Sequence, residues 1–97
     1  MGAPVQSGTG TTICSTPFLI REYTFTSGTT ATAFTHGGPA AVPDMALVTS
    51  ASANPTATDN AVYTLTTTQF TLDCEDDGND TLKVYLIWFD AAAGGIS

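Results

Sequence analysis

Basic side chains are almost absent from this 97-residue chain. Arg21 and Lys83 are its two basic residues, against nine acidic ones, which gives a formal net charge of −7. A nucleic-acid-binding protein needs many lysines and arginines to displace counterions from phosphates, and anionic membrane surfaces attract the same residues. We therefore expect neither a nucleic-acid partner nor a membrane partner.

Long apolar runs, helix-period patterns and a secretory leader are missing as well. No run reaches the length that crosses a bilayer, and the first residues lack the basic and apolar regions of a signal peptide. Charged residues make up only 11% of the chain, whereas threonine fills about one position in five. Threonine is β-branched and suits a half-exposed strand. The length fits one small domain with a modest core.

Six segments have the alternation or the β-branched content of strands: 18–25, 31–35, 45–49, 61–66, 69–74 and 82–89. Turn residues separate them, including the loop around His36 and a two-threonine turn at 67–68. The sequence therefore predicts an all-β domain, an antiparallel β-sandwich or small barrel, over residues 18–90. An extended N-terminal arm (1–17) should precede it and a small-residue tail (91–97) should follow.

The last predicted strand is apolar on both faces. One face carries Leu82, Val84, Leu86 and Trp88, and the other carries Lys83, Tyr85, Ile87 and Phe89. Such a strand is central in its sheet or faces a partner on one side. The apolar residues of the second face and of the arm are the predicted interface, which comprises Val5, Ile13, Tyr85, Ile87 and Phe89.

Residues that could carry chemistry are few. His36 is the single histidine and has no nucleophile or metal-ligand spacing around it, so we expect a loop histidine bonded to nearby backbone. Cys14 and Cys74 are far apart, and either two free thiols or a disulfide joining arm and domain is compatible with the sequence. No catalytic residues, cofactor or metal ion are expected.

The acidic run 73–80 partly matches a calcium-binding loop. Asp73, Glu75, Asp77 and Gly78 take its first, third, fifth and sixth positions, but the twelfth position is Val84 rather than a bidentate glutamate. A solvated hairpin turn is the preferred interpretation, and a calcium site built differently stays open.

Four aromatic residues are candidates for stacking against a sugar ring: Tyr63, Tyr85, Trp88 and Phe89. Trp88 shares its face with three aliphatic residues, which favours the core. For the others a protein contact is favoured over a glycan, because aromatic residues are enriched in interface cores.

The span 34–89 resembles small β-domains of tailed-bacteriophage virion proteins. The resemblance lies in the pieces Thr35-His36-Gly37-Gly38, Pro43-Asp44-Met45-Ala46-Leu47-Val48, Val62-Tyr63-Thr64-Leu65, Thr67-Thr68-Gln69-Phe70-Thr71-Leu72 and Val84-Tyr85-Leu86-Ile87-Trp88-Phe89. Gly38 departs from the pattern, in which a bulky apolar residue follows the His-Gly pair. The departure puts the packing of that loop in question.

The resemblance implies a non-enzymatic β-sandwich, commonly trimeric, in a tail fibre, a tailspike or a capsid decoration protein. The expected function is a decoration (cement) protein that binds the major capsid protein and acts as a homotrimer in the virion. The alternative is a glycan-binding receptor domain.

Overall fold

A computed structural model describes residues 3–28, 30–50, 61–74 and 81–89. The described residues form seven strands and no helix: β1 (Val5–Cys14), β2 (Leu19–Thr26), β3 (Thr32–Thr35), β4 (Met45–Ser50), β5 (Ala61–Tyr63), β6 (Gln69–Asp73) and β7 (Thr81–Trp88). It follows that no described helix is long and apolar enough to span a membrane.

The strands form two antiparallel sheets that pack as a small β-sandwich, as predicted. The four-stranded sheet has the order β1-β2-β7-β4, and the three-stranded sheet has the order β3-β6-β5. β7 pairs with β2 over its whole length and with β4 on its other side. The prediction of a central last strand is therefore confirmed.

The core lies between the two sheets and is strongly aromatic. Phe70 contacts the rings of both Tyr23 and Phe25, at centroid distances of 5.1 and 6.1 Å. Alternation in β6 and β7 directs every second side chain inward, which is the period that the sequence shows. The buried hydrophobic residues of the described part are Tyr23, Phe25, Phe70, Leu72, Cys74, Leu82, Val84, Leu86 and Trp88.

The N-terminal segment is not a separate arm. Residues 5–14 form β1, which pairs antiparallel with β2 and is one edge of the four-stranded sheet. An edge strand needs few apolar residues, because solvent can cover much of it, and threonine and serine then suffice. The expected boundary at residue 17 is therefore wrong, and removing 1–17 would strip a strand from the sheet.

A three-residue bulge interrupts β1 opposite Tyr23. Ser7 pairs with Thr24 and Thr11 with Glu22, so residues 8–10 bulge out of the ladder. Gly10 has φ +91°, and a Cβ there would lie 2.5 Å from Cε2 of Tyr23. Glycine is therefore required where the bulge crosses the ring.

The hairpin of β5 and β6 has a longer connection than the sequence suggested. β5 ends at Tyr63 instead of residue 66, and Thr64 has φ +53°. The hydroxyl Oγ1 of Thr66 accepts hydrogen bonds from the backbone N–H groups of Thr68 (3.2 Å) and Gln69 (2.9 Å). This local side-chain to backbone bonding replaces the ladder in the last part of the predicted strand.

Candidate interaction surface

The four-stranded sheet has an outer face, which points away from the core. Its register sets residues of neighbouring strands side by side, because directly paired residues of antiparallel strands point to the same side. Cys14 pairs with Ile20, Ile20 with Ile87, and Ile87 with Met45, so one row crosses all four strands. The row contains no charged residue.

Three further residues extend this row into an apolar patch. Beyond it, the rings of Phe18 and Phe89 meet edge to face at 5.8 Å and are 45% and 51% exposed. On β4, Leu47 is 49% exposed. We define the apolar patch as Phe18, Ile20, Met45, Leu47, Ile87 and Phe89.

The other end of the outer face is polar and internally bonded. The hydroxyl of Tyr85 donates to Oε2 of Glu22 at 2.8 Å. This hydrogen bond, and to a smaller extent burial, raises the pKa of Tyr85. The ammonium of Lys83 donates to Oγ1 of Thr24 at 2.8 Å and lies 3.9 Å from Oε1 of Glu22. The one acid and one base described there neutralise each other.

The structure brings together part of the predicted interface. Ile87 and Phe89 lie in the apolar patch, and Tyr85 lies at its border. Ile13 is exposed at an irregularity of β1 near the Cys14 row, whereas Val5 pairs with Thr26 at the opposite end of the sheet. Val5 is therefore separate from the other four.

Sequence reasoning missed the contributions of β2 and β4 to this surface. Ile20, Met45 and Leu47 alternate with inward residues, but the order of strands is needed to place them beside β7. The signal available in the sequence was the hydrophobic content of both faces at 18–20 and 45–48.

His36 is buried and bonded to backbone, as expected. Its Nδ1 accepts the N–H of Gly38 at 3.0 Å, so the other ring nitrogen, Nε2, carries the proton and donates to the carbonyl of Thr66 at 3.2 Å. Burial, as the main cause, lowers the pKa of His36 below its ordinary 6.5, and the charge of Arg21 acts in the same direction. The imidazole therefore has a structural role as a neutral group.

Arg21 ties the His36 loop to β1 and β2. Its Nε donates to the His36 carbonyl (3.2 Å) and to the Tyr23 hydroxyl (3.1 Å), and the Tyr23 hydroxyl donates to the same carbonyl. Its Nη1 donates to Oγ1 of Thr12 at 2.9 Å. One of the chain's two basic residues thus acts within the fold.

Gly38 fits the close packing of this loop. A Cβ at position 38 would lie 2.8 Å from Cη2 of Trp88 and 3.1 Å from Cδ of Arg21. The indole is fully buried and donates from Nε1 to the carbonyl of Ala41 at 2.9 Å. Trp88 is therefore a core residue, as predicted, and its ring is not available for stacking against a sugar.

Both cysteines are free thiols in the structure. Cys74 is buried, which raises the pKa of its thiol, and Cys14 is partly exposed. The disulfide alternative is not realised. Within the described ranges no three His, Cys, Asp or Glu side chains are grouped as metal ligands. Most of the acidic run 73–80, with the calcium loop considered there, lies outside the described residues.

Comparison with known proteins adds no relative. No protein-family model matches the chain, and no curated protein and no solved structure matches it significantly.

Proposed function

We propose that this protein is a non-enzymatic structural component of a tailed-phage virion, specifically a decoration protein that binds and stabilises the capsid shell as a homotrimer. The apolar patch is the observation that carries the proposal. Soluble monomers rarely expose a contiguous apolar patch larger than about a few hundred Å², and larger patches mark interaction sites. Here three neighbouring strands and their flanking phenylalanines contribute to one patch.

Electrostatics supports the use of this face for assembly. Copies of a chain with a net charge of −7 repel one another. None of the six residues of the apolar patch is charged, and the adjacent Glu22 and Lys83 compensate each other. Asp44 stands at the border, where its Oδ2 accepts the backbone N–H of Phe89 at 2.8 Å. Subunits meeting on the patch would therefore bring few like charges together.

The assignment to a virion is supported by the resemblance over 34–89. That span supplies four of the six patch residues: three lie on β4 and β7, and the fourth, Phe89, directly follows β7. The resemblance also favours the capsid protein as the second partner.

A matched pair of variants on β4 tests the proposal. Leu47 and Thr49 are both exposed on the outer face, opposite Tyr85 and Lys83 respectively. We expect wild-type protein to be a trimer in light scattering and to co-sediment with capsids stripped of their decoration. Leu47→Asp should weaken both properties, because it places a charge in the apolar patch. Thr49→Asp adds the same charge two residues away and should retain both.

A strictly monomeric wild type at high micromolar concentration would argue against the trimer. Failure of wild type to bind stripped capsids would remove the decoration role. Equal behaviour of the two variants would show that the patch is not the contact surface.

Glycan binding is the second candidate, and one contact favours it. Tyr63 on β5 is 43% exposed, and its hydroxyl lies 3.5 Å from Oδ2 of Asp73. An exposed ring beside a carboxylate is a pairing that can stack on a sugar and bond its hydroxyls. A glycan array with wild type and Tyr63→Ala tests it, and a signal that the substitution abolishes would promote this candidate.

A further inference from the structure

A groove separates the free edges of the two sheets on the side where β1 and β3 lie. Its volume is about 360 Å³, and strands β1 and β3 with the following loop form its walls. The lining residues are Gln6, Gly8, Thr9, Ala33, Phe34, Thr35 and Gly37. None of them is charged, although the chain is strongly acidic.

The β3 wall presents unpaired backbone groups to the groove. β3 pairs with β6, and no other described strand pairs with it. The N–H of His36 donates to the carbonyl of Thr68, which continues the ladder beyond the pair Thr35–Gln69. Bonding alternates along an antiparallel strand, so residues 34 and 32 also bond to β6. The N–H and C=O groups of Ala33 and Thr35 therefore point to the free side.

The β1 wall is an edge as well. β1 pairs with β2 alone among the described strands, and its bulge brings Gly8 and Thr9 to the groove. Gly8 has φ +79°, and nothing lies within 4 Å of where its Cβ would be. Backbone in this wall is therefore accessible without a side chain in front of it.

We propose that this groove binds an extended, uncharged peptide segment of a partner protein, which adds as a strand to the free edge of β3. Addition of a strand satisfies the edge N–H and C=O groups through main-chain hydrogen bonds. The uncharged lining selects against charged side chains, which would lose hydration there. This site is separate from the apolar patch and goes beyond the proposed function.

A sugar fits this groove less well than a peptide. Among the described residues that line the groove, Phe34 is the only aromatic one, and its ring packs against Phe25 and Phe70 at centroid distances of 4.6 and 6.0 Å. It is therefore engaged with the core instead of offering an open face to a pyranose ring.

The test uses a phage-displayed library of random decapeptides as the probe, with the full chain as bait. Enriched peptides are synthesised, and their affinities are measured by fluorescence anisotropy for wild type, Ala33→Pro and Ala33→Ser. Proline removes the outward N–H of residue 33 and leaves the bonds of 32 and 34 to β6, whereas serine keeps that N–H. We expect uncharged peptides rich in β-branched residues, with binding about fivefold or more weaker to the proline variant and unchanged for the serine variant.

Two further measurements keep the result clear. N-methylation of alternate peptide residues removes main-chain donors and should abolish binding to wild type. This measurement tests strand addition even if Ala33→Pro unfolds. Leu47→Asp should bind the peptides normally, because the apolar patch is elsewhere. Failure to enrich any peptide, binding insensitive to N-methylation, or a glycan-array signal that Ala33→Pro abolishes would each overturn the proposal.

Discussion

The two faces of β7 are both largely apolar but differ in what covers them. Inward-facing Leu86 and Trp88 are fully buried, Leu86 in the core between the sheets and Trp88 against the loop that follows β3. Outward-facing Ile87 is half-buried, and Phe89, just after the strand, is 51% exposed. Hydrophobic content alone therefore does not identify the core side of this strand. Coverage by the second sheet does, and it leaves the other side available for a partner.

The largest expected contrast is between neighbouring residues on the two faces. Leu86→Ala should lower the free energy of unfolding by about 2–5 kcal/mol, because it leaves a cavity between the sheets. Ile87→Ala should lower it by only about 1 kcal/mol, because that side chain is partly solvated in the isolated chain. Urea denaturation of both variants, at a protein concentration low enough for the chain to be monomeric, measures the difference. Equal losses would mean that the outer face is covered in the free protein.

A second contrast uses the two glycines of the β1 bulge. Gly10→Ala should lower the free energy of unfolding by about 1–3 kcal/mol from the clash with Tyr23, in addition to about 1–2 kcal/mol from its positive φ. Gly8→Ala carries only the second penalty, because open space surrounds it. The difference in stability between the two variants, measured by thermal melts, gives the cost of the clash with the Tyr23 ring. A Gly8 variant as unstable as the Gly10 variant would contradict the packing described at Tyr23.

Acidification should lower the free energy of unfolding through the buried His36. The pKa of His36 is below its ordinary 6.5, so the unfolded chain binds a proton more readily than the folded one. The contribution of the neutral imidazole to the free energy of unfolding is complete above about pH 6.5 and is lost as the pH falls through the lower pKa of the folded state. Urea midpoints from about pH 8 to about pH 5 should show the decline. His36→Gln removes the titration and should flatten the profile over that range, and an unchanged profile would contradict the buried neutral imidazole.

The smallest effect is expected at the polar end of the outer face. Tyr85→Phe removes the hydrogen bond to Glu22 and should change the free energy of unfolding by less than about 1 kcal/mol, because the pair is partly solvated. The same substitution should leave the oligomeric state unchanged. A larger loss of stability, or dissociation of the oligomer, would indicate that the contact surface extends to this polar end.

Sequence alone predicted the elements in which alternation and burial agree. β6 and β7 have apolar residues at every second position, as the second half of β2 has at Tyr23 and Phe25, and the structure buries these residues. β1 was missed because an exposed edge strand of threonine, serine and glycine has the composition of a loop. Its pairing with β2 depends on a bulge that no local pattern specifies.

The surfaces were predictable only in part, for a related reason. The apolar patch needs Ile20 and Met45 on either side of Ile87, and that neighbourhood depends on strand order. The role of Arg21 likewise requires the His36 carbonyl, which lies 15 residues further along the chain. Neither arrangement can be read from spacing along the sequence.

The central position of β7 has a consequence for synthesis. β2 and β4 both hydrogen-bond to this strand, which begins at Thr81, so neither pairing can form while a ribosome is still adding earlier residues. Pairing β2 or β4 with β7 closes a long stretch of chain, and contacts between residues so far apart in sequence slow folding. The emerging chain would hold β4 and the free edge of the β1–β2 pair without their partner strand until β7 is released, and that is the period in which it is most exposed to aggregation.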